Sequence, residues 1–339
     1  MLYSKRFIMG IAEIILISQL ALSIFTVPSA FALPSSKDKC NCVIFRLDDV
    51  QDHWLAEQQS AIMELFVSRN DYLTLGLIMN TFGDDLELIK QIKHGTDAGL
   101  FELALHGWEH LDYSSLDEAT QTSHFEQAND KFQSMSGQNF DIFLAPYDKF
   151  NHDTIKAMTN TEIRIISSDK SDPSQPFISG QGVDEMNSGQ TIFHLPLSST
   201  FKYIDNLEEW KELSTEMILD EIDKDIAFRG YAVVTLHPQD LAVQTKGGFD
   251  AAIDQRELSN LTLLLDSLSA KKISTSSFSQ VVQFDQPKYK DIGNYILIKE
   301  LSDKQLIPIY VVLFGIVLVI VLAILQRGKR TREGNNPNG

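Results

Sequence analysis

The feature that most constrains this chain is a repeated alternation of short apolar runs with amphipathic helical stretches. Cys42–Leu47, Tyr72–Met79, Phe101–Leu105, Phe140–Leu144, Ile163–Ile166, Thr191–Leu195 and Tyr231–Leu236 read as strands. Helical periodicity falls between them. His53–Val67 has Leu55, Ile62, Leu65 and Phe66 on one face, Asp85–Lys93 has Leu86, Leu88, Ile89 and Ile92 inside, and a capped helix starts at Ser115 with Glu118 three residues on. Further helices are expected from Asn151 through Met158, over Leu207–Phe228 up to Gly230, and over Asp254–Ser269, with a last element at Ile273–Val282. Ser168–Gly189, rich in Ser, Gly, Asp and Pro, reads as a long surface loop. Strand–helix units of this number imply parallel strands under helical cover, in an irregular (β/α) barrel of about seven parallel strands.

Such barrels place their chemistry at the C-terminal ends of the strands. The first strand runs into Asp48 and Asp49, the third into His106 with His110 four residues later, and Tyr231–Leu236 into His237. Adjacent carboxylates after an apolar strand repel each other, and a cation offsets that repulsion. Asp49, His106 and His110 are therefore a candidate ligand set for a divalent metal, with positions left open for water. The two histidines converge on one ion if the turn between them is helical. Hydrolysis at such a centre needs a base and an acid. Asp48 beside the ligand can be the base, and His237 can be the acid.

Two apolar segments flank this region. Residues 1–32 read as a signal peptide: Lys5 and Arg6, an apolar run over Phe7–Val27, and Ala30-Phe31-Ala32 as a small-x-small cleavage site. Ile307–Leu325 is free of charged residues and long enough for roughly 28 Å of helix, one bilayer crossing. Arg327, Lys329, Arg330 and Arg332 follow it and place the tail in the cytoplasm. The organisation expected is a signal at 1–32, a barrel domain at 38–285, a juxtamembrane linker at 286–305, a transmembrane helix at 306–326 and a basic tail at 327–339. The folded part would lie outside the cell.

The formal net charge of −17 argues against nucleic acid as a partner. Cys40 and Cys42 are too close for an ordinary bridge and read as strand residues, with intermolecular pairing the alternative.

Taken in order, LDD, HGWEH, APY and TLH resemble the polysaccharide deacetylase superfamily, carbohydrate esterase family four, over most of 42–285. The resemblance implies a barrel that removes acetyl groups from N-acetylated sugars or acetylated xylan with zinc or a similar metal. It makes Asp48 the base, Asp49, His106 and His110 the metal ligands, and His237 the acid, with the backbone N–H of Tyr147 for the oxyanion. The family's first three motifs are typically TFDD, HxxxH and RxPY and its last is LxH, so this sequence departs from them. Leu144 stands where an Arg orients the base, Thr235 stands at a Leu, and the fourth motif has no clean match, although Asp169 or Asp172 could serve.

Strand alternation offers a substitute for that Arg. Arg46 and Asp48 share a face of the first strand, and Glu102, Ala104 and His106 share one on the third. Arg46 would then orient Asp48 from inside the barrel, with Glu102 as its second partner; the alternative puts Arg46 on the outer face. Trp108, between the histidines, could stack on a sugar ring or simply pack. The function expected is a membrane-anchored extracellular deacetylase acting on the carbon–nitrogen bond of N-acetylated amino sugars in a glycan. The alternative is an inactive glycan- or peptide-binding barrel.

Overall fold

The computed structural model describes residues 40–169, 182–184, 191–204, 210–246, 248–283, 285 and 287–302. The predicted signal (1–32), transmembrane segment (306–326), basic tail (327–339) and Asp172 lie outside these residues. Among the described residues, no helix is long and apolar enough to cross a membrane.

In chain order the elements begin β1 (Cys42–Val50), α1 (Ala56–Arg69), β2 (Leu73–Leu77), α2 (Leu86–Asp97), β3 (Phe101–Leu105), α3 (Glu118–Ser136), β4 (Ile142–Leu144), α4 (His152–Asn160) and β5 (Ile165–Ser167). They continue with β6 (Gly182–Asp184), β7 (Thr191–His194), β8 (Ser199–Thr200), β9 (Lys202–Ile204), β10 (Trp210–Glu212), α5 (Thr215–Arg229), β11 (Tyr231–Leu236), β12 (Ala242–Thr245), β13 (Gly248–Ile253), α6 (Gln255–Ala270), β14 (Ser274–Ser276) and the short α7 (Phe278–Val281). The main sheet runs β6-β7-β5-β4-β3-β2-β1-β11-β8, with β14 also on β1. Every pairing in it is parallel except β6 on β7.

The barrel expected from the strand count is thus a sheet curled into an open half-barrel rather than a closed ring. Residues 195–198 carry the chain from β7 to β8. Leu195 and Leu197 donate to the carbonyls of Ile166 and Ser168 on one edge, and Ser198 donates to Val233 on the other. Alternation sorts β1 as expected. Val43, Phe45 and Leu47 face the helices, with Phe101, Leu103 and Leu105 of β3 in the same layer. Cys42 and Ile44 point into the barrel with Ala104, Ile142, Leu144, Ile165 and Val233.

Local chemistry sets the boundaries. Asp85 caps α2, Asp117 caps α3, and Asn151 and Thr154 form a reciprocal capping box on α4. The helix expected from Ser115 begins instead at Glu118, because Asp117 accepts from Thr120 N while Tyr113–Ser115 closes a separate 3-10 turn. The helix expected over Leu207–Phe228 begins at Thr215, capped by Ser214, and β9 and β10 form a hairpin before it. The stretch expected as a loop over 168–189 contains β6, which pairs with β7.

Two other expectations are corrected. Cys40 and Cys42 form a disulfide with their Cα atoms 5.2 Å apart. Asn41, at φ 47°, curls the chain enough for the two thiols to meet. The predicted linker at 286–305 is helical over 292–302, and its Ile292 and Ile296 are buried against the main core.

Candidate metal centre

A regular strand points successive side chains to opposite faces, so Asp48 and Asp49 should diverge. They do not, because β1 carries a bulge. Leu47 pairs with Leu75 and Val50 with Leu77, leaving one extra residue on β1. Asp49 takes it up in the left-handed region, at φ 60°. Asp48 stays in the barrel-facing row of Ile44 and Arg46, and the twist brings Asp49 round to the same mouth.

His106 follows β3 directly, and its turn is not helical. Gly107 at φ 90° folds the chain so tightly that a Cβ there would lie 2.5 Å from the Glu109 carbonyl oxygen, and this turn returns His110 to the site. Asp49 Oδ1 lies 3.3 Å from His106 Nε2 and 3.2 Å from His110 Nε2. One ligand atom from each of the three residues lies within 4.8 Å of the other two. Asp49 Oδ1 and His106 Nε2 are buried without hydrogen-bond partners, and a cation would satisfy both. Nδ1 of His106 faces the Leu144 carbonyl at 2.8 Å, which fixes the tautomer that leaves Nε2 open to a metal. A carboxylate with two imidazoles is a fitting donor set for a divalent ion. Burial alone would raise the Asp49 carboxyl, but the facing His106 imidazole, with His237 and His110, holds it well below the ordinary carboxylate range.

The guanidinium of Arg46 is fully inside the barrel. Nη2 donates to Asp48 Oδ2 at 2.7 Å and to Asp148 Oδ1 at 2.5 Å, and Nη1 donates to Ser167 Oγ at 2.9 Å. Burial opposes its charge, but the carboxylates of Asp148 and Asp48 more than restore it. Its register neighbours on both sides are threonines, Thr74 and Thr235. These small side chains leave width for its arm.

Glu102 is not the second partner of Arg46. It accepts from the backbone N–H groups of Phe278 and Ser279 at 2.9 and 3.2 Å and anchors α7. Asp148 takes the place expected of Glu102. The backbone of Asp169 is tied to it through Asp169 N–H to the Asp148 carbonyl, 3.1 Å.

Tyr147 sits at φ 57°, ψ 14°, followed by Asp148 at φ 55°. Two successive non-glycine residues in the left-handed region are costly, and such strain gathers at functional sites. The Tyr147 ring is 60% exposed and packs on His110 with centroids 4.6 Å apart. Trp108 is half-buried against the core, with Lys131 Nζ 5.9 Å over its ring. The aromatic surface open to solvent beside the ligands is therefore Tyr147.

His237 ends β11 on the far side of the mouth, close enough for its charge to act on Asp49 and His110. Its N–H donates to Asp240 Oδ2 at 2.7 Å, and its Nδ1 lies 3.9 Å from the same oxygen. Burial, opposed by His237 and Lys202, pushes the Asp240 carboxyl up to about 6.

Three contributors were not found in the sequence: Asp148, Asp240 and Gly76. A Cβ at Gly76 would lie 3.1 Å from Leu144 Cδ1, 3.3 Å from His106 Cβ and 3.4 Å from Asp48 Cα. This glycine lets β2 pass close beneath Asp48 and His106. The bare GL step in an apolar run was the available signal.

With this geometry in view, residues 47–166 match the family model for polysaccharide deacetylase. The chain carries a domain of that family, as its motifs imply. Among solved structures, a protein from Mycobacterium smegmatis assigned to the polysaccharide deacetylases aligns at TM-score 0.53 and 14% identity, covering 74% of this chain and 92% of that one. A family 4 acetyl xylan esterase from Clostridium thermocellum, in complex with cobalt, aligns at 0.47 and 12%, covering 71% and 90%. A carbohydrate esterase family 4 pseudoenzyme from Bacillus anthracis aligns at 0.46 and 14%, covering 71% of this chain and 65% of the other. This chain therefore spans about two thirds of that pseudoenzyme's length. No curated protein matches the chain in sequence.

Proposed function

We propose that this domain is a metal-dependent hydrolase that removes acetyl groups from N-acetylated amino sugars in a glycan. The observation that carries the reading is the convergence of Asp49, His106 and His110 beside a carboxylate, Asp48, held by a fully buried arginine. A divalent ion there, zinc by donor type, would lower the pKa of a bound water and polarise the substrate carbonyl. Asp48 Oδ1 has no hydrogen-bond partner and is the atom available to take a proton from the attacking water. Arg46 fixes the other oxygen of Asp48, so the free one keeps its aim. The Tyr147 N–H would donate to the oxyanion, and its exposed ring would meet the sugar. His237 would protonate the leaving nitrogen from the opposite side.

An inactive barrel is the weaker reading here. The arginine absent at Leu144 is replaced in function by Arg46, so the base is still oriented. We further propose that 306–326 anchors the protein in a cell membrane, with the domain outside and the basic tail in the cytoplasm. Release of acetate from N-acetylglucosamine oligomers, with zinc or cobalt added to the chelated protein, tests the activity. Metal-dependent release is expected. A fully loaded protein that is inert on amino-sugar, xylan and peptidoglycan substrates would leave the binding module in its place.

A further inference from the structure

The helix over 292–302 fixes where the chain leaves the domain. At its start, Asp291 lies against Gly137 at the C-terminal end of α3, so it begins at the bottom of the barrel, away from the site. One turn up, Gly293 lies beside Lys93 of α2, and Tyr295 donates to the Gly83 carbonyl at 2.8 Å. Glu300 then pairs with Lys90 at 2.8 Å, and Lys299 pairs with Asp84. Asp84 follows β2 at its C-terminal end, and its N–H donates to Asp52, three residues beyond the metal ligand Asp49. The helix therefore climbs from bottom to top and delivers residue 302 at the mouth. Four residues separate 302 from Ile307, where the uncharged apolar run begins, a reach of at most about 17 Å.

The exposed apolar side chains follow the same direction. On the exit helix Leu297, Ile298 and Leu301 are 55%, 66% and 49% exposed. Leu111, Tyr147, Tyr203, Ile204, Met217 and Val243 are exposed on segments that follow strand C-termini or open the next helix. Of the eleven large exposed apolar residues among those described, this leaves Phe228 and Leu263 elsewhere. Nine of the eleven therefore lie on the exit helix or on segments at the strand C-terminal end, where the site opens.

We propose that the domain stands on its anchor with the mouth of the site turned toward the bilayer, and that its substrate is an acylated amino-sugar glycan attached to the membrane rather than a free polymer. This rests on the deacetylase and membrane-anchor readings above. A short tether that emerges beside the site holds the mouth at the level of lipid headgroups, and the scattered apolar side chains there suit that boundary.

The test uses the full chain in vesicles of zwitterionic phospholipid. Fluorophores are placed one at a time by Ile204→Cys and Val243→Cys at the mouth and by Phe228→Cys at the far end, and are quenched by nitroxide-labelled lipid headgroups. Strong quenching of both mouth positions with little at Phe228 is expected. Equal quenching, or stronger quenching at Phe228, overturns the orientation, as does failure of the chain to float with vesicles. Acetate release is then compared between an N-acetylglucosaminyl lipid in the same vesicles and soluble oligomers of that sugar. A several-fold preference for the lipid is expected, and insertion of a ten-residue Gly/Ser spacer after Ser302 should abolish that preference without lowering turnover of the oligomers. A preference for the oligomers overturns the substrate proposal. Silence on both, with mouth quenching intact, rejects the deacetylase reading and leaves the orientation standing.

Discussion

The two sides of the mouth are built differently. On the β1–β4 side the groups are held by backbone geometry and buried polar contacts. Asp49 is set by a bulge and faced by two imidazoles, His106 is oriented by the Leu144 carbonyl, and Asp48 is gripped by an arginine that also holds Asp148 and Ser167. On the β11 side the His237 backbone is tied to Asp240 in both directions, its N–H donating to Asp240 Oδ2 and its carbonyl accepting from the Asp240 N–H, and its side chain is 23% exposed. The first side is a rigid cradle whose cost lies in strained backbone and buried charge. The second holds a part-exposed imidazole over a buried carboxyl. A ligand set must be preorganised to bind an ion tightly, whereas a proton donor must follow the leaving group.

The largest effect should come from the cradle's ligands. His106→Ala and Asp49→Ala should each release the metal on dialysis and abolish activity, because two remaining ligands hold a labile ion poorly. Metal content by atomic absorption checks this, and stoichiometric metal in both variants would mean that the ligand set is wrong. Asp48→Asn comes next. The amide keeps the shape and leaves the ligands alone, so metal should stay while acetate release falls about 10²–10⁴-fold, the usual range for losing a general base. His237→Ala should also keep its metal. Because the His237 side chain is part-exposed, its loss should be partly rescued by added imidazole, which would have no effect on Asp48→Asn.

Arg46 separates the two sides more finely. Arg46→Met leaves Asp48 buried without its partner, a loss of about 3–5 kcal/mol by analogy with broken buried pairs. If Arg46 is the displaced orienting residue, the double variant Arg46→Thr, Leu144→Arg should recover both stability and rate relative to Arg46→Thr alone. Leu144 pairs in register with Ser167, the residue Arg46 already reaches, so an arginine at 144 starts from the right layer. Urea midpoints and acetate release at fixed metal content measure it. A double variant no better than the single would deny that the two positions are interchangeable.

These arguments also show what was legible in the sequence. The alternation of β1 and β3 placed Arg46, Asp48 and His106 on one barrel-facing row, and the strand ends named the candidate ligands Asp49, His106 and His110 as well as His237, because period-2 patterning and strand termination are local properties. Asp148 and Asp240 were not found, since each acts across the fold: one on an arginine 102 positions away, the other as a buried cap under a histidine. The bulge at Asp49 could not be read from LDD, because nothing local distinguishes an extra residue from a regular strand. Glu102 had the right face, but its position in the stack put it on the amides of α7. The helix at 292–302 was taken for linker although Ile292, Tyr295, Ile296, Leu297, Ile298 and Leu301 lie on it, because half of these stay exposed and only the packing of Ile292 and Ile296 reveals its role.

The smallest effect expected lies under His237. Burial of Asp240 raises its carboxyl from an ordinary 3.8 to about 6, so the folded protein binds this proton more tightly than the unfolded chain does. A raised carboxyl pKa contributes stability that is complete below about pH 4 and is lost as pH climbs through about 6. The loss amounts to about 3 kcal/mol at 1.36 kcal/mol per pKa unit. His194, held down to about 4 by burial and the charges of Arg229 and Arg46, works the other way: its contribution is lost as pH falls from 6.5 toward 4. Total stability against pH therefore mixes the two, and the difference between wild type and Asp240→Asn isolates the first. An asparagine can still accept from the His237 N–H but carries no charge at any pH. Wild type should thus be the more sensitive of the two between pH 4 and 7, losing stability relative to the variant as pH rises, in urea unfolding followed by circular dichroism. Parallel curves across that range would mean that Asp240 is no more costly to ionise inside the fold than outside it, and that the histidine above it is anchored without any coupling to a proton.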